Sequence, residues 1–199
     1  MIGIIDYGVG NLFSLNASLQ YLGLESIVTN DIEELEKADR IILPGVGAFG
    51  DAYAMLEKTG LIPYLKLTQK PMLGICLGMQ LLFDKSYEYG EYEGLGVIKG
   101  EICPIAKDVS KDLKIPHMGW NSLSYKKDSK LFKYVSEGSY VYYVHSFYAK
   151  HCEESTVAVS NYGVEITGAV ENGNYYGTQF HPEKSGIVGL NILKAFSEI

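Results

Sequence analysis

The chain is poor in the features that mark disulfide scaffolds, metal proteins and membrane proteins. Its three cysteines, Cys76, Cys103 and Cys152, are an odd number without a C-x-x-C pair, which argues against both a disulfide framework and a thiolate zinc site. No H-E-x-x-H or other clustered ligand set occurs, so no metal is expected. No apolar run approaches the roughly 20 residues that cross a bilayer. The N-terminal Met1-Ile-Gly-Ile-Ile-Asp6 has no basic segment and no cleavage site, and reads as a first strand, not a signal peptide. Positive charge is also short: the net charge is −7 and the pI about 5.1, against the basic surface that nucleic acid needs. What is present is ample core material, with 47% hydrophobic and 21% charged residues over 199 positions, enough for one large domain and without a disordered signature. A reduced, cytoplasmic protein is expected.

The first eighty residues alternate apolar runs with helical patterns. Ile2 to Ile5 is a buried-strand candidate. Asn11 stands as N-cap to a helix through Leu12, Leu15, Leu19 and Leu22, with Gly23 at its C-terminal end. Leu24 to Val28 is a second strand, and Asp31 and Glu34 have capping-box spacing. Arg40 to Leu43 and Pro71 to Ile75 are a third and a fourth strand. The fourth runs into an amphipathic helix containing Leu77, Gln80, Leu81 and Leu82. Such alternation implies a parallel sheet covered on both faces. Beyond Gly90, tyrosine, glycine and β-branched residues dominate, with period-2 stretches at 139–148 and 155–160. Strands at 166–170 and 175–180 follow, joined by the turn signal Glu171-Asn-Gly-Asn174. A last helix over 186–197 sets Ile187, Leu190, Leu193 and Phe196 on one side. No linker or repeat divides the chain, so one α/β domain over 1–199 is expected, with antiparallel additions in the C-terminal half.

The most informative segment is Gly74-Ile75-Cys76-Leu77-Gly78, a thiol version of the nucleophile elbow. A sharp strand-to-helix turn forces its central residue into a strained backbone and needs small neighbours. It lifts the sulfur above the C-terminal edge of the sheet, toward the unpaired N–H groups of the helix start. Those groups favour thiolate and can hold an oxyanion. A cysteine nucleophile needs a base, and the base an orienting group. Of four histidines, His117 follows Pro116 in a loop, His145 lies in a tyrosine-rich strand as a structural residue, and His151 sits among charges. His181 ends a strand, and in His181-Pro182-Glu183 the stiff proline can hold a carboxylate beside the imidazole.

With these residues, the chain resembles the class I (triad) glutamine amidotransferases, and within them the glutaminase subunits of imidazole glycerol phosphate synthase. The resemblance runs end to end. It is carried by Asp6-Tyr-Gly-Val-Gly-Asn11, Pro44-Gly-Val-Gly-Ala-Phe-Gly50, Gly74-Ile-Cys-Leu-Gly-Met-Gln-Leu-Leu-Phe83, Pro116-His-Met-Gly-Trp-Asn121 and Gln179-Phe-His-Pro-Glu-Lys-Ser185. It implies a three-layer, flavodoxin-like α/β domain with a mixed, largely parallel sheet. It further implies a Cys76-His181-Glu183 triad that hydrolyses glutamine through a glutamyl thioester, without a cofactor. By the same resemblance the oxyanion is held by Leu77 and by the Val46 and Gly47 loop, and glutamine by Gly45, Gln80, Ser146 and Phe147. The implied partner is a (β/α)₈-barrel cyclase, reached through Asn11, Trp120 and Lys184. By position alone Asn11 is equally a helix N-cap, Trp120 a core residue and Lys184 a solvated charge. The same chemistry could also feed another synthase, such as one amidating surface sugars.

Other readings fit less well. An α/β-hydrolase esterase places its acid between nucleophile and histidine, whereas Glu183 follows His181. A dinucleotide-binding module built on Gly8 and Gly10 meets Phe13 where a third glycine is needed.

Overall fold

Strands with apolar side chains on both faces must be covered from both sides, and this requirement organises the molecule. In the computed structural model, which describes residues 1–199, strands β1 (Ile2–Ile5), β2 (Ser26–Thr29), β3 (Arg40–Leu43) and β4 (Met72–Ile75) lie parallel in the order β2-β1-β3-β4. Alternation along them splits the core in two. Ile4, Ile42 and Leu73 point to one side, where α1 (Leu12–Tyr21) contributes Leu15 and Leu19. Ile5, Ile41, Leu43 and Met72 point to the other, packed by Leu35 of α2 (Ile32–Lys37), Leu56 of α3 (Phe49–Lys58), Leu65 of α4 (Ile62–Leu67) and Leu77 of α5 (Leu77–Leu81). The last helix, α6 (Gly186–Phe196), returns to the first side with Ile192, Leu193 and Phe196. Each fully buried side chain of this kind contributes about 1.5–3 kcal/mol.

The remaining strands are β5 (Phe83–Ser86), β6 (Tyr92–Glu93), β7 (Ile98–Pro104), β8 (His117–Ser122), β9 (Ser124–Tyr125), β10 (Tyr140–His145), β11 (Phe147–Lys150), β12 (Thr156–Asn161), β13 (Glu165–Asn172) and β14 (Tyr175–Thr178). β14 lies parallel to β4, with Gly177 opposite Gly74 and Thr178 opposite Ile75. β13, β12 and β9 then extend the sheet antiparallel, which gives the mixed sheet and C-terminal additions expected. A second sheet, β11-β7-β5-β6, and a two-stranded ribbon, β10-β8, stand beside it.

Four local expectations are corrected. The stretch 139–148 is not one strand: it breaks at Ser146, where the chain passes from the ribbon to the second sheet. His117, expected in a loop after Pro116, instead opens β8; α3 and α4 lie where the sequence raised no expectation. Helix α5 has only 5 residues and all are buried, so it is not amphipathic. Wedged between the main and second sheets, it has no solvent face. In α6, Ile187 is 68% exposed and Leu190 partly so, because the buried face runs through Gly189, Ile192, Leu193 and Phe196.

Candidate active site

The strand β4 and helix α5 meet at Cys76, whose φ of 54° and ψ of −109° lie outside both elements. A non-glycine residue is held there only when its surroundings determine it. Here the Cys76 N–H continues the sheet ladder to the Thr178 carbonyl at 2.7 Å. The flanking glycines are required by contact. A Cβ on Gly78 would stand 1.8 Å from the Leu43 carbonyl oxygen, and one on Gly74 would stand 2.6 Å from that of Gly78. Gly45 packs against the same turn, its virtual Cβ 2.7 Å from the Gly78 nitrogen and 2.9 Å from the Tyr7 hydroxyl. That hydroxyl donates to the Pro44 carbonyl at 2.7 Å, fastening the base of the Gly45-Val46-Gly47 loop. Tyr7 is buried next to Cys76; burial first, and then that neighbour, push its phenol well above the usual range. It serves as a neutral donor.

His181 follows β14, the immediate parallel neighbour of β4, so adjacent strand ends deliver thiol and imidazole. Its Nδ1 lies 2.9 Å from Glu183 Oε1, and both side chains are almost wholly buried. The carboxylate accepts from Nδ1–H and leaves Nε2 for the sulfur. Burial opposes charge on this ring, but the hydrogen bonds to Cys76 and Glu183, with their charges, outweigh it and raise the His181 pKa to about 9. Glu183 Oε2 is buried without a hydrogen-bond partner, so an imidazolium beside it relieves an otherwise costly group. Ser185, which the motif analysis left without a role, fixes the segment: its hydroxyl donates to the His181 carbonyl at 2.6 Å and accepts from the Tyr142 N–H at 2.9 Å. The His181 N–H in turn donates to the Tyr142 carbonyl at 3.0 Å.

Cys76 and His181 open into a cavity of about 210 Å³. Val46, Gly47, Leu77, Gln80, Ser146, Phe147 and Lys184 also line it, so most of the expected site residues share one space. Gly45 does not; it sits behind, in a narrow crevice with Asn11, His181 and Glu183. Asn11 does act as the N-cap of α1, accepting from the Ser14 N–H at 3.4 Å. Trp120 is 56% exposed, which removes the core reading. The amide of Gln80 is already engaged, donating to the Phe147 carbonyl at 3.1 Å and to Gln179 Oε1 at 3.0 Å. His145 is a buried structural histidine as expected, its ring nitrogens 2.8 Å from the Phe147 carbonyl and 3.0 Å from His117 Nδ1. Burial holds its pKa down to about 3, so it is neutral and no second base.

The cavity also holds Glu88, which sequence reasoning missed. Its Oε2 accepts from the Phe49 N–H at 2.8 Å, capping α3 from a residue 39 positions away. Burial raises its pKa, and the nearby Asp51 charge adds to this; the Phe49 N–H pulls the other way. No local motif announces it. In a larger hollow of about 430 Å³ near Lys126, Tyr148 and Cys152, the Cys152 thiol faces the Thr156 and Thr167 hydroxyls and His151 faces Glu101.

Comparison with known proteins agrees with this geometry. Residues 3–197 match the family model for glutamine amidotransferase class-I, and the chain belongs to that family. It is 49% identical, over 100% of its length and 98% of the relative's, to the imidazole glycerol phosphate synthase subunit HisH of Caldanaerobacter subterraneus subsp. tengcongensis. It is 47% identical, over 100% of its length and 96% of the relative's, to the protein of that name from Listeria monocytogenes serotype 4a. Among solved structures, a glutamine amidotransferase superposes with a TM-score of 0.76 at 18% identity, covering 99% of this chain and 97% of the other. PurLQS from Thermotoga maritima superposes with a TM-score of 0.74 at 20% identity, covering 99% and 97%. These last two speak for the fold.

Proposed function

We propose that this chain is the glutaminase subunit of an imidazole glycerol phosphate synthase, working in histidine biosynthesis. The observation that carries the reading is the meeting of a strained Cys76 with the buried His181–Glu183 pair at the ends of adjacent parallel strands. Relatives bearing that subunit's name match over the whole chain.

The Cys76 thiolate adds to the side-chain amide carbon of glutamine. The oxyanion so formed is held by the N–H of Leu77 and one from the Val46-Gly47 loop. His181 gives the Nε2 proton to the amide nitrogen, the C–N bond breaks, and ammonia leaves a glutamyl thioester. His181 then takes a proton from water, whose oxygen attacks the thioester carbon and expels the thiolate, releasing glutamate. Gln80, Ser146 and Phe147 form the wall against which glutamine lies, and Glu88 offers a carboxylate to its α-ammonium group.

Ammonia in neutral water is mostly ammonium, which is not a nucleophile, so the product must pass under cover to an acceptor site. The fold holds no second catalytic centre, and a (β/α)₈-barrel cyclase is the partner this reading implies, met through Asn11, Trp120 and Lys184. The three cysteines are unpaired thiols, which suits the cytoplasm. The test is glutamate release by the chain alone, with the cyclase, and with the cyclase and its nucleotide. Release that rises by orders of magnitude only in the full mixture and vanishes in Cys76→Ala supports the reading. Release in Cys76→Ala, or none with any addition, overturns it.

A further inference from the structure

We infer that Gln179 and the His117–His145 pair are positioning residues of this site, members of two hydrogen-bond runs that share the Phe147 carbonyl as acceptor. One comes from the β8–β10 ribbon and holds this carbonyl in place; the other leads from it to Cys76 and presents an N–H to its sulfur. The inference rests on the reading of Cys76 as nucleophile. The direction follows from the two places where a backbone carbonyl, which can only accept, fixes the donor.

At the ribbon end, Asn121 Nδ2 donates to the Asn161 carbonyl at 2.8 Å. The same NH₂ group faces His117 Nε2 at 3.3 Å, which must therefore accept. His117 then carries its proton on Nδ1 and donates to His145 Nε2 at 3.0 Å. His145 carries its own on Nδ1 and donates to the Phe147 carbonyl at 2.8 Å. The assignment made from Asn121 and the one made from Phe147 agree, with no nitrogen asked to do two things.

A second run leads from the same carbonyl toward the nucleophile, joined to the first through the acceptor that both share. Gln80 Nε2 also donates there, so its amide orientation is fixed, and its second hydrogen meets Gln179 Oε1 at 3.0 Å. With Oε1 so engaged, the Gln179 NH₂ group is turned to Cys76 Sγ, 3.7 Å away. An amide in that place is otherwise free to offer either end; an N–H stabilises a thiolate and a C=O repels it. Gln179 and His145 are buried, and so is His117, held between the Tyr143 ring at 4.8 Å and the Tyr162 ring at 4.0 Å. Burial keeps both histidines neutral, with pKa values lowered to about 4 and about 3, the state in which each ring can donate on one side and accept on the other.

The experiment is alkylation of Cys76 by iodoacetamide in the 199-residue chain at neutral pH, beside glutamine turnover with the cyclase. Alkylation is read by mass spectrometry of the Cys76 peptide, so that Cys103 and Cys152 are not counted. Gln179→Met keeps length and apolar bulk but removes the donor, and Gln179→Glu replaces it with an acceptor. Each is expected to slow alkylation about tenfold, the effect of losing one hydrogen bond to a charged group, and to lower kcat with KM little changed. At position 145, Asn can supply its Nδ2 in place of the ring Nδ1, whereas Leu fills the space and donates nothing. His145→Asn should hold the wild-type alkylation rate within about twofold while His145→Leu loses it, a contrast that packing alone would reverse. Should His145→Leu fail to fold, the Gln179 pair decides. Alkylation of Gln179→Met at the wild-type rate, or Leu equalling Asn at 145, overturns the inference. Cys76→Ala separates the failures: turnover surviving in it sinks the nucleophile reading itself, whereas a dead Cys76→Ala with unchanged Gln179 variants sinks only the hydrogen-bond runs.

Discussion

Two glycine-bearing segments face the same cavity and are built in opposite ways. At the elbow, Gly74 and Gly78 are clamped by backbone on the far side, and the Cys76 N–H is tied into the sheet. At the loop, Gly47 has a φ of +97° and an added Cβ would meet nothing within 4 Å; its neighbour Val46 is 40% exposed. Glycine at the elbow answers a need for space, and glycine at position 47 a need for backbone freedom. Cys76 is fixed in place, whereas the loop proposed to supply an oxyanion donor carries a glycine whose backbone can change orientation at small cost. A site of this kind can stay assembled and idle until a partner shifts the loop equilibrium.

The largest expected effect comes from putting the same methyl group in both places. Gly78→Ala drives a Cβ into the Leu43 carbonyl, 1.8 Å away, so β3 or α5 must move. A loss of about 3 kcal/mol or more is expected, read from chemical denaturation, with glutaminase activity lost as well. Gly47→Ala meets no atom and pays only for its left-handed backbone, about 1–2 kcal/mol. Its melting temperature should fall by only several degrees, less than for Gly78→Ala, while partner-stimulated glutamate release falls by about 10²-fold, the value of one oxyanion donor. Equal stability losses at the two positions would break the distinction.

Much of this contrast was legible beforehand, because it lies in local patterns. β1 and β3 were bounded correctly at Ile2–Ile5 and Arg40–Leu43 by Asp6 and Pro44. The elbow and the His181–Glu183 pair stood out because their chemistry needs adjacent residues. What stayed hidden depends on distant ones. Glu88 has meaning only because folding brings it to the Phe49 N–H. Ser185 stood only as the last residue of a motif, because its hydroxyl makes no bond within its own helix and instead ties His181 to β10. The break at Ser146 escaped because Tyr140 to Tyr148 keeps a strand-like composition through the point where it changes sheets. Helices α3 and α4 were missed between two strong strand signals.

A smaller effect tests the fixed side of the comparison from the histidine. With the His181 pKa raised to about 9 in the fold, above its ordinary value near 6.5, its protonation adds stability that is full below about pH 6.5. That stability is lost as pH rises through about 9. Glu183→Gln removes one of the two partners that favour the imidazolium. The alkaline limb of kcat/KM, which belongs to the coupled Cys76–His181 pair, should therefore move to lower pH. The stability difference between neutral and alkaline solution should shrink in parallel. A limb unmoved in Glu183→Gln would mean that Cys76 alone holds the histidine charged.

The smallest effect belongs to Trp120, on β8, the strand that also carries His117. At 56% exposure, with only an edge contact to Tyr142 at 5.9 Å, the ring buries little against its own chain. Trp120→Ala should change the stability of the isolated chain by no more than about 0.5 kcal/mol. Alkylation of Cys76 in that chain should also stay at the wild-type rate, since the elbow is held without it. Exposed aromatic rings of this size commonly anchor interfaces, and the same substitution should weaken association with the cyclase by about 2 kcal/mol, measurable by titration calorimetry. Slower alkylation in the isolated variant would show that the ribbon supports the nucleophile before any partner arrives, and the line between a fixed elbow and a partner-dependent periphery would have to be redrawn.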